Sequence, residues 1–256
     1  MDDLQEHAVP GPLGEAPGLT QWQRVGSIFS APSRTFTDIQ RGHRSWWLPF
    51  VLMIAASYLF FGAITLRIGW DQVAENAIHF NPKAEQRMAQ ATPERRATSM
   101  KITRYSMEGG FAASPLLMLG FLAVMSLGLW GTMNFVFGGK ATYGSIFTVW
   151  MYAALPGTIK TLLGIVVIYA GMAPESFNLN NFAPTSVGAF LDPLSTNAAL
   201  YTLASRLDFT SIWSLVLLGM GAATVSGLKR SSGYMAVFGW WILFLVIGVG
   251  WAAVMG

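Results

Sequence analysis

The sequence predicts an all-α fold, a polytopic membrane protein with five transmembrane helices and amphipathic interfacial helices. Hydrophobic residues make up 53% of the chain and charged ones 11%, where a soluble domain carries about a quarter charged residues. Five apolar runs, at about 46–66, 111–137, 146–170, 209–228 and 234–254, are each long enough, at ~1.5 Å per residue, to cross a hydrocarbon core about 30 Å thick. Two very short polar turns, Gly138–Ser145 and Lys229–Gly233, separate pairs of these runs and must lie at a membrane surface. The composition leaves no room for a second soluble domain. With no Cys, there is no disulfide, thiolate metal site or Cys nucleophile. Lys and Arg number 16 against 13 for Asp and Glu, an excess that suits an anionic membrane surface and is too small to argue for nucleic acid.

Taken in order, residues 1–19 are rich in Pro, Gly and acids and read as a disordered tail. They are not a signal peptide, because Met1-Asp2-Asp3 is acidic and no apolar core follows. Residues 20–45 form an amphipathic juxtamembrane lead. Thr20 with Gln23 fits a capping box, and Trp22, Val25, Ile28 and Phe29 share one helical face with Arg24 off it. Pro32 breaks this helix and opens a second, with Phe36 and Ile39 on one side and Arg34, Arg41 and Arg44 on the other. Such helices lie in the membrane interface or pack on the ends of the chain's own spans.

The membrane domain occupies 46–256. Its first span is headed by Trp46 and Trp47 and ended by Arg67, an interfacial anchoring pattern. Residues 67–110 form a polar loop read as a helical hairpin, since Asn81-Pro82 and Thr92-Pro93-Glu94 are helix starts. Its alternating charges fit a solvated surface or a docking surface for a partner. The second span carries Gly120, Gly128, Gly131 and the polar Asn134. The third contains Pro156, which should kink it, and Lys160 one turn later, near mid-membrane if the span is one helix. Residues 171–208 are a second long loop with short interfacial helices. Gly219, Ala223 and Gly227 make a small-residue packing face on the fourth span, and the fifth follows a tight basic turn.

An odd number of spans puts the termini on opposite sides. Arg24, Arg34, Arg41, Arg44, Lys140, Lys229 and Arg230 fall together if the amino terminus is cytosolic, as the positive-inside rule prefers, although the base-rich 67–110 loop conflicts. The expected location is the bacterial cytoplasmic (inner) membrane, multi-pass, with the carboxyl terminus on the opposite side.

Several features occur in a recognisable order. Ile28-Phe29-Ser30-Ala31-Pro32 and Phe36 precede a tryptophan-headed span. Gly138-Gly139-x-x-Thr142-Tyr143 leads to Phe147, Val149 and Tyr152-Ala153-Ala154-Leu155-Pro156, and Leu207-Asp208-Phe209-Thr210-Ser211-Ile212-Trp213 opens the fourth span. This order resembles the bacterial branch of the Yip family, five-span membrane proteins named for eukaryotic members that interact with Ypt/Rab GTPases. The resemblance covers residues 20–254 and implies five helices and a cytosolic amino terminus. For the eukaryotic branch it implies work in vesicle trafficking. No Asp-Leu-Tyr-Gly-Pro motif precedes the first span and the tail is short, so Rab-type GTPase binding is not carried over.

Lys160 is the main candidate for chemistry, because a charge within a span usually faces the bundle interior and marks a functional site. The plain alternative is that it snorkels, or bonds to carbonyls freed by Pro156. Asn134, Tyr152, Asp208 or a lipid phosphate are its possible partners. The sequence offers no catalytic, cofactor or metal site: His7, His43 and His79 are isolated, and no nucleophile elbow or phosphate loop appears. Gly138 and Gly139 read as a tight turn. The expected function is that of a non-enzymatic integral membrane protein acting through contacts with lipid and with other membrane proteins or itself. The alternative is a transporter, or an accessory subunit of a transport complex, with a polar site near Lys160.

Overall fold

The structure is a computed structural model and describes residues 18–255. The expected tail, up to residue 17, lies outside the described residues. Five helical segments are long and apolar enough to cross a membrane: Trp47–Arg67, Ser114–Val136, Tyr143–Tyr169, Phe209–Ser226 and Arg230–Val254. Among the described residues the one β pairing is an isolated bridge between Ser186 and Asp208.

The lead forms α1 (Gln21–Ser30) and α2 (Pro32–Gln40). Thr20 and Gln23 close the capping box reciprocally, at 3.2 and 2.9 Å. The first span, α3 (Trp47–Arg67), stops before Gly69, whose φ of 82° no other residue type adopts as cheaply. Between the first two spans lie three helices rather than a two-helix hairpin: α4 (Trp70–His79), α5 (Pro82–Ala89) and α6 (Pro93–Ala112). Asn81 and Thr92 cap the last two with their side chains. The additional helix, α4, is amphipathic, and Trp70, Val73 and Ala74 on its inner face are buried.

The second span, α7 (Ser114–Gly131), starts three residues later than the apolar run. Phe111 lies in the last turn of α6 and packs beside Phe60, Phe61 and Trp70 instead. Pro115 sits in the first turn of α7, where its missing N–H is harmless. A single π turn, Thr132–Val136, extends α7. The third span is two helices, α8 (Tyr143–Ala153) and α9 (Pro156–Tyr169), broken where Pro156 withdraws a backbone donor. After α10 (Ala198–Arg206) come the last two spans, α11 (Phe209–Ser226) and α12 (Arg230–Met255).

The centre of the bundle is α11, which touches α2, α8, α9 and α12. The contact of its second half with the start of α12 depends on small residues: a Cβ on Gly219 would lie 2.5 Å from the Tyr234 ring, and Ala223 faces Gly233. Gly227 does not share that role; it ends α11 in the left-handed conformation at φ 69°.

Two apolar cores lie at opposite ends. One joins Ile28, Phe36 and Ile39 of the lead to Val149, Tyr152, Leu217 and Ala222 of the spans. The other joins Phe60 and Ile64 of α3 to Trp70, Val73, Ile168 and Phe177. The lead is therefore built into the bundle by one face, with Trp22 on its outer side at 65% exposure. Arg230 reaches Ser33 of the lead at 3.4 Å, whereas Lys83 reaches the Val254 carbonyl at 3.0 Å. The start and the end of the described chain thus lie at opposite ends of the molecule.

Candidate functional site

Lys160 projects from α9 and its amine lies 3.0 Å from Asp208 Oδ2, with side chains 19% and 2% exposed. Asp208 is the N-cap of α11, accepting from Ser211 N at 3.0 Å, so the sequence Asp-Phe-Thr-Ser that starts this helix also positions the carboxylate. Thr210 Oγ1 donates to Oδ1 and Thr185 Oγ1 to Oδ2, each at 2.6 Å. The loop holding Thr185 is pinned by two backbone bonds, Phe209 N to Thr185 O at 2.8 Å and Val187 N to Leu207 O at 3.2 Å. Phe182 places its ring 5.3 Å from the Lys160 amine.

Burial raises the pKa of the Asp208 carboxyl. The hydrogen bonds from Thr185, Thr210, Lys160 and Ser211 lower it by more and hold it well below its ordinary 3.8. A carboxylate engaged on both oxygens is an anchor: it ties α9, the 182–187 loop and the head of α11 together. The 18 residues of α11 cover about 27 Å. The ion pair therefore marks one end of that span and the Lys229–Arg230 turn the other. Lys160 lies level with the head of α11, at the end of that span, while within its own span, Tyr143–Tyr169, it stands near the middle.

The other residues singled out from the sequence have separate partners. Asn134, in the π turn, donates to the Ala141 carbonyl at 2.8 Å and accepts from its N–H at 2.9 Å. Trp130 donates to the same carbonyl at 2.9 Å. These bonds fold residues 137–142 back along the end of α7. Gly138 takes φ 73° there, and a Cβ on Gly139 would come within 2.9 Å of both Met133 O and Ser226 Cβ. Tyr143 then stacks on Phe147 and donates to Ala123 O at 3.1 Å. Tyr152, fully buried, donates to Ser45 O at 3.1 Å. Pro156 is buried at the α8–α9 break. Lys160, Asn134 and Tyr152 do not meet.

In the lead, Phe36 is fully buried, Pro32 partly so, and Phe29 packs edge-on against Trp213 at 5.6 Å. Arg24, assigned by the helical pattern to the polar side, is instead 4% exposed. Its Nε lies 3.2 Å from Asp38 Oδ2, it donates to His43 O at 2.7 Å, and it sits 5.7 Å over the Tyr152 ring. His43 approaches Asp38 Oδ1 from outside at 3.1 Å. Asp38, Thr185 and Thr210 were not legible as site residues. The one signal available was the Asp before an apolar run, which marks Asp208 as a cap. Among the described residues, no three His, Cys, Asp or Glu gather as a metal site.

This fold and these anchored polar groups define a five-span helical membrane protein. Residues 26–252 match the family model of the Yip1 domain, so the chain belongs to that family. It is also similar to the membrane protein YknW of Bacillus subtilis (strain 168), 24% identical over 233 residues that cover 90% of this chain and 89% of the relative. No solved structure matches the chain.

Proposed function

We propose that this Yip1-domain protein is a non-enzymatic scaffold of the bacterial cytoplasmic membrane, with its amino terminus cytosolic, acting by contact with lipid and with other membrane proteins. The observation that carries this reading is the contrast between the last two spans. In α11, 50% of the most apolar stretch is buried inside the chain, but in α12 only 6% is. Ile242, Phe244, Ile247 and Trp251 of α12 all face outward, a long apolar surface held at one edge of the bundle and open to a neighbouring helix. Lys160, Asn134 and Tyr152, in contrast, are each engaged in bonds that hold the fold. Purification from native membranes in mild detergent tests the proposal: a stoichiometric membrane-protein partner is expected. The transport alternative draws on the Lys160–Asp208 pair; solute uptake by the protein alone in vesicles selects it and overturns the scaffold.

A further inference from the structure

At the end of the bundle that carries the lead, the charge among the described residues is one-sided. Arg34, Arg41, Arg44, Lys140, Lys229 and Arg230 are all exposed there. Among the described residues none of them enters an ion pair. The one acid at that end among the described residues is Asp38, which is buried and engaged by Arg24 and His43. A surface of this kind attracts anionic lipid.

One of these cations is set beside an apolar groove. The Arg44 carbonyl accepts from Thr148 Oγ1 at 3.1 Å, which fixes residue 44 against α8. Its Cδ lies 3.8 Å from where a Cβ on Gly144 would sit, so the side chain runs over the first turn of α8. Tyr143, the residue before Gly144, crosses to Ala123 and with Ala123, Val124 and Leu127 lines a groove of about 320 Å³. That volume is at the lower end of ligand-site sizes, roughly 300–1,000 Å³. Val124 is 70% exposed and Leu127 56%, which leaves the groove open along the lipid-facing side of α7. Trp46 packs edge-on against Phe147, and Trp47 beside it is exposed, an aromatic arrangement typical of headgroup level.

We propose that the first turn of α8 and the adjoining face of α7 seat one anionic phospholipid, its phosphate on Arg44 and an acyl chain in the groove under Tyr143. This rests on the reading of a lipid-contacting scaffold and names the lipid class. A cation alone would attract any phosphate, and a groove alone would take any chain; their adjacency selects a phospholipid, and with no exposed acid at that end among the described residues to pair a choline ammonium, it favours one of net negative charge.

The test is native mass spectrometry of the full chain in mild detergent, titrated with equimolar phosphatidylglycerol and phosphatidylcholine of matched chains. One phosphatidylglycerol is expected to be retained in preference. Arg44→Gln lowers that preference about fivefold, the effect of one basic residue near an anionic headgroup. Arg34→Gln, at the same end of the bundle but not among the residues at the groove, leaves it unchanged. Leu127→Trp, which fills the groove without touching Arg44, also removes retention, and excess glycerol phosphate does not displace the lipid. Equal retention of both lipids, equal effects of Arg34→Gln and Arg44→Gln, or displacement by glycerol phosphate overturns the proposal. Arg44 makes no side-chain hydrogen bond within the described chain, so its variant keeps the fold. Co-purification of a protein partner is read separately, so failure here and failure of the scaffold are distinct results.

Discussion

At Asp208 four donors converge on one carboxylate: the hydroxyls of Thr185 and Thr210, the Ser211 amide and the Lys160 amine. Asp208→Asn keeps a good helix cap but strips the charge facing Lys160. Breaking a buried pair costs about 3–5 kcal/mol, and the lower figure applies because the Lys160 side chain retains 19% exposure. Lys160→Met leaves three donors on the carboxylate and costs about 1–3 kcal/mol. The double variant should cost less than the sum of the two, by roughly 0.5–3 kcal/mol, as read by thermal unfolding in detergent. Additive losses would mean that the two groups do not interact. The pH dependence has a definite sign. A carboxyl held below its ordinary 3.8 contributes stability above that value and loses it as pH falls further. The gap in unfolding temperature between wild type and Asp208→Asn is therefore constant from neutral pH to about 5 and narrows below about 4. A gap unchanged into that acid range contradicts the assignment.

The elements show where sequence periodicity carries information and where it stops. The capping box at Thr20, the proline break at 156 and the cap at Thr92 depend on neighbours a few residues away, and each is visible in the sequence. The packing of α1 and α2 is not, because an apolar stripe looks the same whether lipid or protein covers it. Arg24 shows the same limit: one Arg off an apolar face is ordinarily solvated, and its burial depends on Asp38 and on carbonyls of residues 43 and 45, brought together by the turn after α2. In α2 the fully buried Phe36 abuts Gly221, where an added Cβ would lie 2.7 Å from its ring. Phe36→Ala should destabilise by about 3–5 kcal/mol. Gly221→Ala should cost about 1–3 kcal/mol by overpacking, and pairing it with Phe36→Leu should recover part of that loss. If Phe36→Ala unfolds at the wild-type temperature, the lead is not part of the core.

At the scale of the molecule, five spans and their order are legible because hydropathy over twenty residues needs no tertiary information. The apolar core of Phe60, Trp70, Ile168 and Phe177 is not, since it joins segments far apart in the chain through short amphipathic pieces. The Lys160 partner is hidden for the same reason: four candidates were compatible with the sequence, and only folding brings Asp208 to it. Orientation has its own test. A reporter fused after Gly256 should be active on the side opposite the cytosol, and activity confined to the cytosol contradicts the proposed topology. The scaffold reading rests on the outward face of α12. A photo-crosslinking side chain placed at Phe244, Ile247 or Trp251, in native membranes, samples what lies against that face. Discrete adducts with one membrane protein, or with a second copy of this chain, are the predicted result; adducts with lipid alone at all three positions would contradict it.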